Sequence, residues 1–334
     1  MRAADVAEFA LIDLIRARCA IAREDVRLGI GDDAALLAVP AGQMLAVSTD
    51  TLVSGVHFAK DTAPFDIGWK ALAVNLSDLA AMGAAPAWAT LALTVSQADR
   101  EWIAAFADGF AALARQFDVA LVGGDTTQGP LSITVTVHGF VPESLALRRG
   151  GAKVGDAVLV TGTLGDAAAG LKLSLPPLAG EGAEGGMGQG AASTSLIERL
   201  NRPTPRVAQG LLLRGRAHAC IDVSDGLVAD LGHVCKASDV GAEIDIALLP
   251  DSPALRELFD AGARAPLQLA GGDDYELCFT APTATVDTLL GELARSGCAA
   301  ACIGRVVAEP GVRVRDARGD PFELPRGGWQ HFSP

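Results

Sequence analysis

The stretch GIGDD at residues 29–33, followed by STDT at residues 48–51, most constrains this chain because it concentrates carboxylates around an apolar segment. Residues 34–47 are mostly apolar and are broken by a Pro-Ala-Gly turn, which predicts two short buried strands. The carboxylates would then lie at strand ends, where side chains can converge on a ligand. Two like charges about 4 Å apart repel by about 4 kcal/mol near a protein surface. We therefore interpret this stretch as part of a divalent-metal site.

Further acids occupy similar positions along the chain. Asn75 and Asp78 stand three residues apart on a predicted helix over residues 66–82 that is apolar nearly all round, where an unpaired acid is costly. The alternative for Asp78 is capping of a neighbouring loop. Hard oxygen donors beside Gly, Ser or Thr suit Mg²⁺, although any single one could instead cap a turn. The predicted magnesium ligands are Asp33, Ser48, Thr49, Asp50, Asp78, Asp125, Asp222 and Asp225.

The net charge and the few lysines limit the kinds of ligand that this chain can bind. The formal net charge is −13, and only five of the 27 basic residues are lysines, which argues against a nucleic-acid surface or a polybasic membrane patch. A phosphate substrate would have to be received by metal ions, backbone N–H groups and a few arginines such as Arg149. This combination indicates nucleotide-dependent phosphoryl transfer, in which alignment and charge screening replace a dedicated general base.

The cysteines and the hydropathy favour a soluble protein of the cytoplasm. None of the six cysteines forms a C-x-x-C pair, which is typical of reduced thiols. We find neither a signal peptide nor an 18-residue apolar span in the sequence, so we expect no membrane association.

Several familiar nucleotide and metal motifs are excluded. Residues 29–34 fit a dinucleotide fingerprint in spacing, but its acids would face the pyrophosphate and the turn at residues 40–42 blocks the required helix. The sequence contains no Gly-Lys dipeptide for a Walker loop, no zinc spacing among its histidines and no EF-hand loop. Residues 161–166 could seat a phosphate or could simply form a capped strand–helix turn, and both interpretations stay open.

Two domains are expected from 334 residues with 50% hydrophobic content. The pattern breaks near residues 147–151, so we place an N-terminal metal- and ATP-binding domain at 1–148 and a C-terminal α/β domain at 149–334. A Gly/Ala-rich run over residues 176–194 predicts a flexible surface loop.

Six segments, in order along nearly the whole chain, closely resemble the thiamine-monophosphate kinase family, a branch of the aminoimidazole ribonucleotide synthetase superfamily. The segments are residues 28–33, 48–52, 73–83, 123–127, 221–227 and 271–277, which read LGIGDD, STDTL, AVNLSDLAAMG, GGDTT, IDVSDGL and GGDDYEL. The resemblance implies a two-domain α/β (α+β) fold and a homodimer in which two mixed N-terminal sheets close a barrel. It also implies Mg²⁺-assisted transfer of the γ-phosphoryl group of ATP directly to thiamine monophosphate, giving thiamine diphosphate without a phospho-enzyme.

The matching motifs also carry over residue roles. The same eight residues would bind several magnesium ions, with Asp50, Asp125 and Asp225 as the catalytic members. Contacts to ATP would come from Gly124, Asp125, Arg149 and Ser224. Contacts to the thiamine substrate would come from His57, Asp273 and Trp329. Asp273 is a conservative match for Glu, and Trp329 suits a cationic thiazolium by cation–π attraction, although a tail aromatic packed on the core is the alternative.

Two other functions remain as alternatives. A sister enzyme of the superfamily, of the purine cyclo-ligase, selenophosphate or hydrogenase-maturation type, would share the metal–ATP chemistry. The selenophosphate type needs a reactive Cys or selenocysteine near the N-terminus, and the hydrogenase-maturation type needs a C-terminal Cys. Cys19 lies inside a helical pattern and the chain ends in HFSP, which disfavours both types. The other alternative is a non-catalytic metal- or nucleotide-binding regulator.

Overall fold

The computed structural model describes residues 8–175 and 190–324 together with Gly328. The chain divides into two compact units. Unit 1 comprises the described residues of Met1–Leu79 and Ala84–Ala146, and unit 2 those of Ala80–Gly83 and Leu147–Pro334. Residues 176–189 of the predicted loop lie outside the described residues, and its last part, residues 191–194, forms the start of a helix instead of a loop.

The first half of the chain builds a mixed four-stranded sheet and three helices. In chain order the elements are α1 Glu8–Arg18, β1 Val26–Leu28, β2 Leu36–Leu37, β3 Gln43–Val53, α2 Pro64–Ala81, β4 Ala85–Val95, α3 Arg100–Gln116, β5 Ala120–Gln128 and β6 Ser132–Pro142. The sheet order is β3-β6-β4-β5, with β4 and β5 parallel and the other neighbours antiparallel. Strands β1 and β2 form a separate small sheet.

Helices α2 and α3 approach each other closely at a pair of glycines. A Cβ atom at Gly68 would lie 2.0 Å from the carbonyl oxygen of Phe106, and one at Gly109 would lie 1.9 Å from that of Phe65. No side chain fits at either position, so the two helix backbones are in direct contact. Around this contact the aromatic rings of Phe106 and Phe110 are fully buried, which anchors both helices in the core of unit 1.

Unit 2 is built on a six-stranded mixed sheet. Its elements are β7 Ala157–Thr161, α4 Asp166–Ser174, α5 Ala191–Asn201, α6 Val207–Leu213, β8 Ala219–Val223, α7 Leu227–Ser238, β9 Gly241–Asp245, α8 Pro253–Leu258, α9 Ala261–Ala270, β10 Glu276–Ala281, α10 Val286–Arg295, β11 Ala300–Val307 and β12 Gly311–Arg315. The strand order is β12-β9-β11-β7-β10-β8, antiparallel except for the β12–β9 pair. Strands β7 and β10 are interior strands and are buried along their whole length. Strand β8 is an edge strand of the sheet and is also buried throughout.

The structure corrects two predictions for the acid-bearing stretch. Residues 48–50 lie inside the eleven-residue strand β3 and Asp125 lies inside β5, so these residues are not at strand ends. The flanking strands are also not buried, since Leu36 is 58% exposed and Val47 is 55% exposed. Strand β3 is long because it pairs with β6 over its full length, and local turn signals do not reveal such a long-range pairing.

Candidate active site

One carboxylate fixes the loop between β8 and α7, which carries two predicted site residues. The Oδ2 atom of Asp230 accepts three consecutive backbone N–H groups, from Ser224 at 3.0 Å, Asp225 at 3.0 Å and Gly226 at 3.2 Å. Asp230 is only 2% exposed. Burial raises the pKa of Asp230 to about 7, against the opposite effect of the backbone N–H groups. Residues 224–226, which we call the 224–226 loop, therefore have a single well-defined backbone position.

A second loop is tied to the carbonyl side of the same segment. The backbone N–H of Asp273 donates to the carbonyl of Ser224 at 2.9 Å, and that of Tyr275 donates to the carbonyl of Val223 at 2.8 Å. Both Asp273 and Tyr275 have positive φ, at 68° and 50°. The Tyr275 hydroxyl then donates to Oδ1 of Asp273 at 3.0 Å. The structure thus brings Asp222, Ser224, Asp225 and Asp273 into one neighbourhood of unit 2.

Two other residues predicted for unit 2 are placed differently. The carbonyl of Arg149 accepts the hydroxyl of Ser238 at 3.4 Å, at the end of α7 opposite the 224–226 loop. A helix of this length spans about 18 Å, so Arg149 and Ser224 could contact only different parts of one extended ligand. Trp329 lies outside the described residues. Its neighbour Gly328 is described and lies against Asp225, because a Cβ there would be 2.8 Å from the Asp225 carbonyl oxygen.

The turn at residues 161–166 is a capped turn whose N–H groups are already engaged. Asp274 accepts the N–H of Gly165 at 2.7 Å and that of Ala167 at 3.4 Å. The N–H groups of Gly162 and Leu164 donate to backbone carbonyls of other segments. These bonds favour the capped-turn interpretation over a phosphate seat.

In unit 1, two predicted ligands are already in contact. The hydroxyl of Ser48 on β3 donates to a carboxylate oxygen of Asp78 on α2. Asn75, one turn earlier on α2, accepts the backbone N–H of Asp50 at 3.0 Å. Thr49 lies between Ser48 and Asp50 on β3. Because side chains alternate along a strand, its side chain lies on the other face of the sheet, where its hydroxyl contacts that of Thr136 at 2.8 Å. Helix α2 therefore presents polar groups to one face of β3.

His57 is held by its own turn and by a buried lysine. Its Nδ1 atom accepts the backbone N–H of Val53 at 3.0 Å, which leaves Nε2 as the nitrogen that carries the proton when the ring is neutral. Lys70, a buried residue of α2, donates to the His57 carbonyl at 3.2 Å. The imidazole orientation is therefore set before any substrate arrives.

A small, open pocket of about 60 Å³ lies beside Asp125. Apolar side chains from α1, from the 29–33 stretch and from β4 and β5 line it, together with Gly123, Gly124, Asp125 and Thr126; the apolar residues are Ile12, Ile15, Ile30, Leu91 and Leu121. The 29–33 stretch, which also carries the exposed Asp33, thus reaches the Gly-Gly-Asp segment through Ile30.

Asp50 and Asp125 are separated within one chain. Asp50 on β3 is paired with Val135 on β6, Val135 with Leu91 on β4, and Leu91 with Gly124 on β5. Three strand spacings, together about 14 Å, therefore separate the two edge strands. Among the described residues, no three His, Cys, Asp or Glu side chains lie close enough together to hold a metal ion.

Sequence reasoning missed Asp230 and Tyr275. The signals were present: Asp230 follows Gly226 by four residues at a helix start, and Tyr275 is the only tyrosine of the chain. Their importance depends on hydrogen bonds to backbone groups, which a motif does not reveal. Within the described ranges, no helix combines the length and apolarity needed to cross a bilayer.

Two family models match most of the chain. The N-terminal domain of AIR synthase related protein matches residues 31–141, and the C-terminal domain of AIR synthase related protein matches residues 153–317. The thiamine-monophosphate kinase of Escherichia coli (strain K12) is 49% identical over 331 residues, which cover 98% of each chain. The chain belongs to the thiamine-monophosphate kinase family.

Solved structures similar to this thiamine-monophosphate kinase family member include the enzyme of Stenotrophomonas maltophilia K279a. That structure is 53% identical, has a TM-score of 0.83 and covers 92% of this chain and 96% of its own. AaThiL complexed with AMPPCP and TMP is 33% identical, with a TM-score of 0.73 and 99% coverage of both chains. The family and the two-domain AIR synthase-like α/β fold predicted from the six motifs are therefore confirmed. The individual site residues stay predictions.

Proposed function

We propose that this chain transfers the γ-phosphoryl group of ATP to the phosphate of thiamine monophosphate, producing ADP and thiamine diphosphate, the last step in making that cofactor. The observation that carries the proposal is 49% identity to a thiamine-monophosphate kinase across 98% of both chains. The structure of AaThiL with AMPPCP, an analogue of ATP, and TMP supports the pairing of these two ligands in the family.

The reaction needs alignment more than proton transfer. An oxygen of the thiamine phosphate, already ionised at neutral pH, forms a bond to the γ-phosphorus while the bond to the β–γ bridging oxygen breaks, and ADP carries away that electron pair. No proton must be removed from the nucleophile, so no general base is required. The clamped 224–226 loop supports this role because its position is fixed in advance by hydrogen bonds on both sides.

Magnesium fits the donors that the chain offers. Carboxylate and hydroxyl oxygens are the donors offered, with Ser48 and Asp78 already in contact in unit 1 and with Asp222 and Asp225 three residues apart at the end of β8 in unit 2. We propose that the eight residues predicted from the sequence hold Mg²⁺ together with the phosphates. When bound, Mg²⁺ would neutralise charge on the polyphosphate.

The remaining roles divide between nucleotide and thiamine. We propose that Gly124, Asp125, Arg149 and Ser224 contact ATP. We further propose that His57, Asp273 and Trp329 contact thiamine monophosphate. The fixed orientations of His57 and Asp273 support their assignment, because each side chain accepts a hydrogen bond that holds it in place, from the Val53 N–H and from the Tyr275 hydroxyl.

We also propose a homodimer formed through the sheet of unit 1. Strands β3 and β5 are the two edges of that sheet. Strand β3 exposes Met44, Leu45, Val47 and Val53, and an exposed apolar edge strand favours pairing with another chain. A closed barrel of two sheets would place β3 of one copy beside β5 of the other, which would bring Asp50 next to the partner's Asp125.

A cytoplasmic location completes the proposal. All six cysteines are free thiols. Burial raises the pKa of several of them, including Cys19 to about 12, so they stay protonated and unreactive. Free thiols of this kind are typical of a reducing compartment.

The decisive experiment is product analysis with purified protein, ATP, Mg²⁺ and thiamine monophosphate. We expect ADP and thiamine diphosphate in equal amounts, and no product when Mg²⁺ is removed by chelation. Asp50→Asn should lower turnover by about a thousandfold, whereas Asp108→Asn, an exposed aspartate of α3 in the same unit, should leave it unchanged. Hydrolysis of ATP without thiamine diphosphate would overturn the proposal.

A further inference from the structure

We infer that Asp230 is a positioning residue for this reaction, whose buried carboxylate sets the location of Ser224 and Asp225. The inference rests on the proposed function, because that function gives Ser224 and Asp225 their roles toward nucleotide and metal. Asp230 itself need not touch either ligand.

Asp230 makes more hydrogen bonds to backbone N–H groups than a residue that only caps the start of a helix. A capping side chain usually precedes the helix and accepts one or two of the first N–H groups. Asp230 instead lies inside the first turn of α7 and reaches back with a single oxygen to three successive N–H groups of the preceding loop. Its own N–H donates to the Gly226 carbonyl at 3.0 Å, which closes a ring between loop and helix.

The opposite side of the same segment is also engaged. The carbonyls of Val223 and Ser224 accept the N–H groups of Tyr275 and Asp273. The N–H groups of the 224–226 loop are therefore bonded to Asp230 of α7, and the carbonyls of Val223 and Ser224 are bonded to the loop before β10. Removal of Asp230 would free the N–H side alone, so the loop would lose its fixed position without losing its place in the fold.

A purely structural role fits the surroundings of Asp230 poorly. Leu227, Leu231 and Val234 of the same helix are buried in the core of unit 2, where an apolar residue at position 230 would cost no desolvation of charge. The carboxylate is instead kept in that setting and is aimed at the loop that carries the site residues.

The test compares Asp230 with Asp156, a matched buried aspartate of unit 2. Asp156 is 4% exposed, accepts the N–H of Lys153 at 2.9 Å and contacts His218 at 2.8 Å, but its turn carries no proposed site residue. The variants are D230N and D230A, with D156N and D156A as controls. The measurements are melting temperature, kcat, and KM for ATP and for thiamine monophosphate.

We expect kcat/KM for ATP to fall about tenfold in D230N and about a hundredfold in D230A, because an amide oxygen is a weaker acceptor than a carboxylate and a methyl group accepts nothing. The KM for thiamine monophosphate should change by less than about twofold. An effect on ATP alone distinguishes a positioning role from a general loss of structure, which would affect both substrates. D156N and D156A should lower the melting temperature similarly and leave kcat/KM for ATP within about twofold.

A loss of kcat/KM for ATP in D230N and D230A no larger than in the Asp156 variants would overturn the inference. If D230A does not fold, D230N decides alone by the same comparison. If the unaltered chain makes no thiamine diphosphate, the proposed function fails, and the inference is then judged by calorimetric binding of AMPPCP with Mg²⁺. Binding weakened about tenfold in D230N but not in D156N supports it, and equal binding in both overturns it.

Discussion

Asp273 and Tyr275 adopt left-handed backbone conformations at φ values of 68° and 50°, although two glycines immediately precede them. Such a conformation costs a residue with a Cβ about 1–2 kcal/mol, and it is rare for a bulky aromatic. The cost is offset because both N–H groups reach carbonyls of β8 and its loop and the phenol reaches Asp273. Strain of this kind concentrates at functional sites, which supports a substrate role for Asp273.

Tyr275→Phe removes only the hydroxyl that orients Asp273. We expect the KM for thiamine monophosphate to rise about fivefold to tenfold, in line with the loss of one hydrogen bond to a charged group, while the KM for ATP changes little. Steady-state kinetics with each substrate varied in turn measures this. Ser174→Ala, which removes one hydroxyl bond within α4 of the same unit, should change neither KM, and an unchanged KM in Tyr275→Phe would reject the role.

Asp25 makes the stability of unit 1 depend on pH. Hydrogen bonds from Arg23 hold the pKa of Asp25 below its usual value, with a further contribution from Trp88. Its contribution to stability is therefore present above the unfolded-state pKa of about 3.9 and is lost as the pH falls through the lower folded-state pKa. Asp25→Asn should cost about 1–3 kcal/mol at pH 7 and progressively less toward pH 3.

Urea unfolding followed by tryptophan fluorescence at pH 7 and pH 3 checks this expectation. Asp118→Asn is the matched control, because Asp118 bonds the same Arg23 at 2.7 Å but is 69% exposed. An exposed pair contributes at most about 1 kcal/mol. Equal losses for the two variants, or a loss for Asp25→Asn that does not shrink in acid, would contradict the assignment.

At the scale of elements, period and turn chemistry predicted most helices and strands. The apolar stripe over residues 101–117 predicts a helix, and α3 begins and ends within a residue of that range because the stripe is regular and Asp99 caps it. The apolar run at residues 119–122 predicts a short strand that ends before Gly123, whereas β5 continues to Gln128 because residues 123–128 pair with β4. The sequence pattern predicts no strand at residues 311–315, where β12 forms by pairing with β9, a strand that is distant in sequence.

A glycine-to-alanine substitution, which adds one methyl group, tests the close contact between α2 and α3. Gly109→Ala would place Cβ 1.9 Å from the Phe65 carbonyl oxygen, so the helices must separate, at a cost of about 3 kcal/mol or more. Gly232→Ala in α7 meets nothing within 4 Å and should be neutral or stabilising by up to about 1 kcal/mol. Thermal unfolding of both variants measures the difference, and similar melting temperatures would refute the close contact.

At the scale of the whole molecule, the two most acidic strands of unit 1 lie at opposite edges of one sheet. Motif reasoning selected Asp50 and Asp125 by residue type and setting, but it could not reveal that about 14 Å separates their strands. That distance follows from the register across β6 and β4. Two carboxylates that far apart cannot bind the same metal ion, so in the proposed dimer Asp50 would meet the Asp125 of the other copy.

Mixing two inactive variants tests this arrangement. Asp50→Asn and Asp125→Asn should each be inactive alone. After equal amounts are unfolded and refolded together, about a quarter of the unaltered activity should return, because half of the dimers are mixed and each mixed dimer has one intact site. Each variant unfolded and refolded without the other provides the control. Recovery of no activity, with mixed dimers present by mass spectrometry, would place both aspartates in the site of a single chain.

The lone tyrosine of the chain also gives the molecule a built-in reporter. Growth with 3-fluorotyrosine would introduce one fluorine nucleus per subunit, on the ring whose oxygen contacts Asp273. A single resonance would then report on the surroundings of Asp273, and its shift on addition of thiamine monophosphate would test the proposed substrate contact with no engineered label.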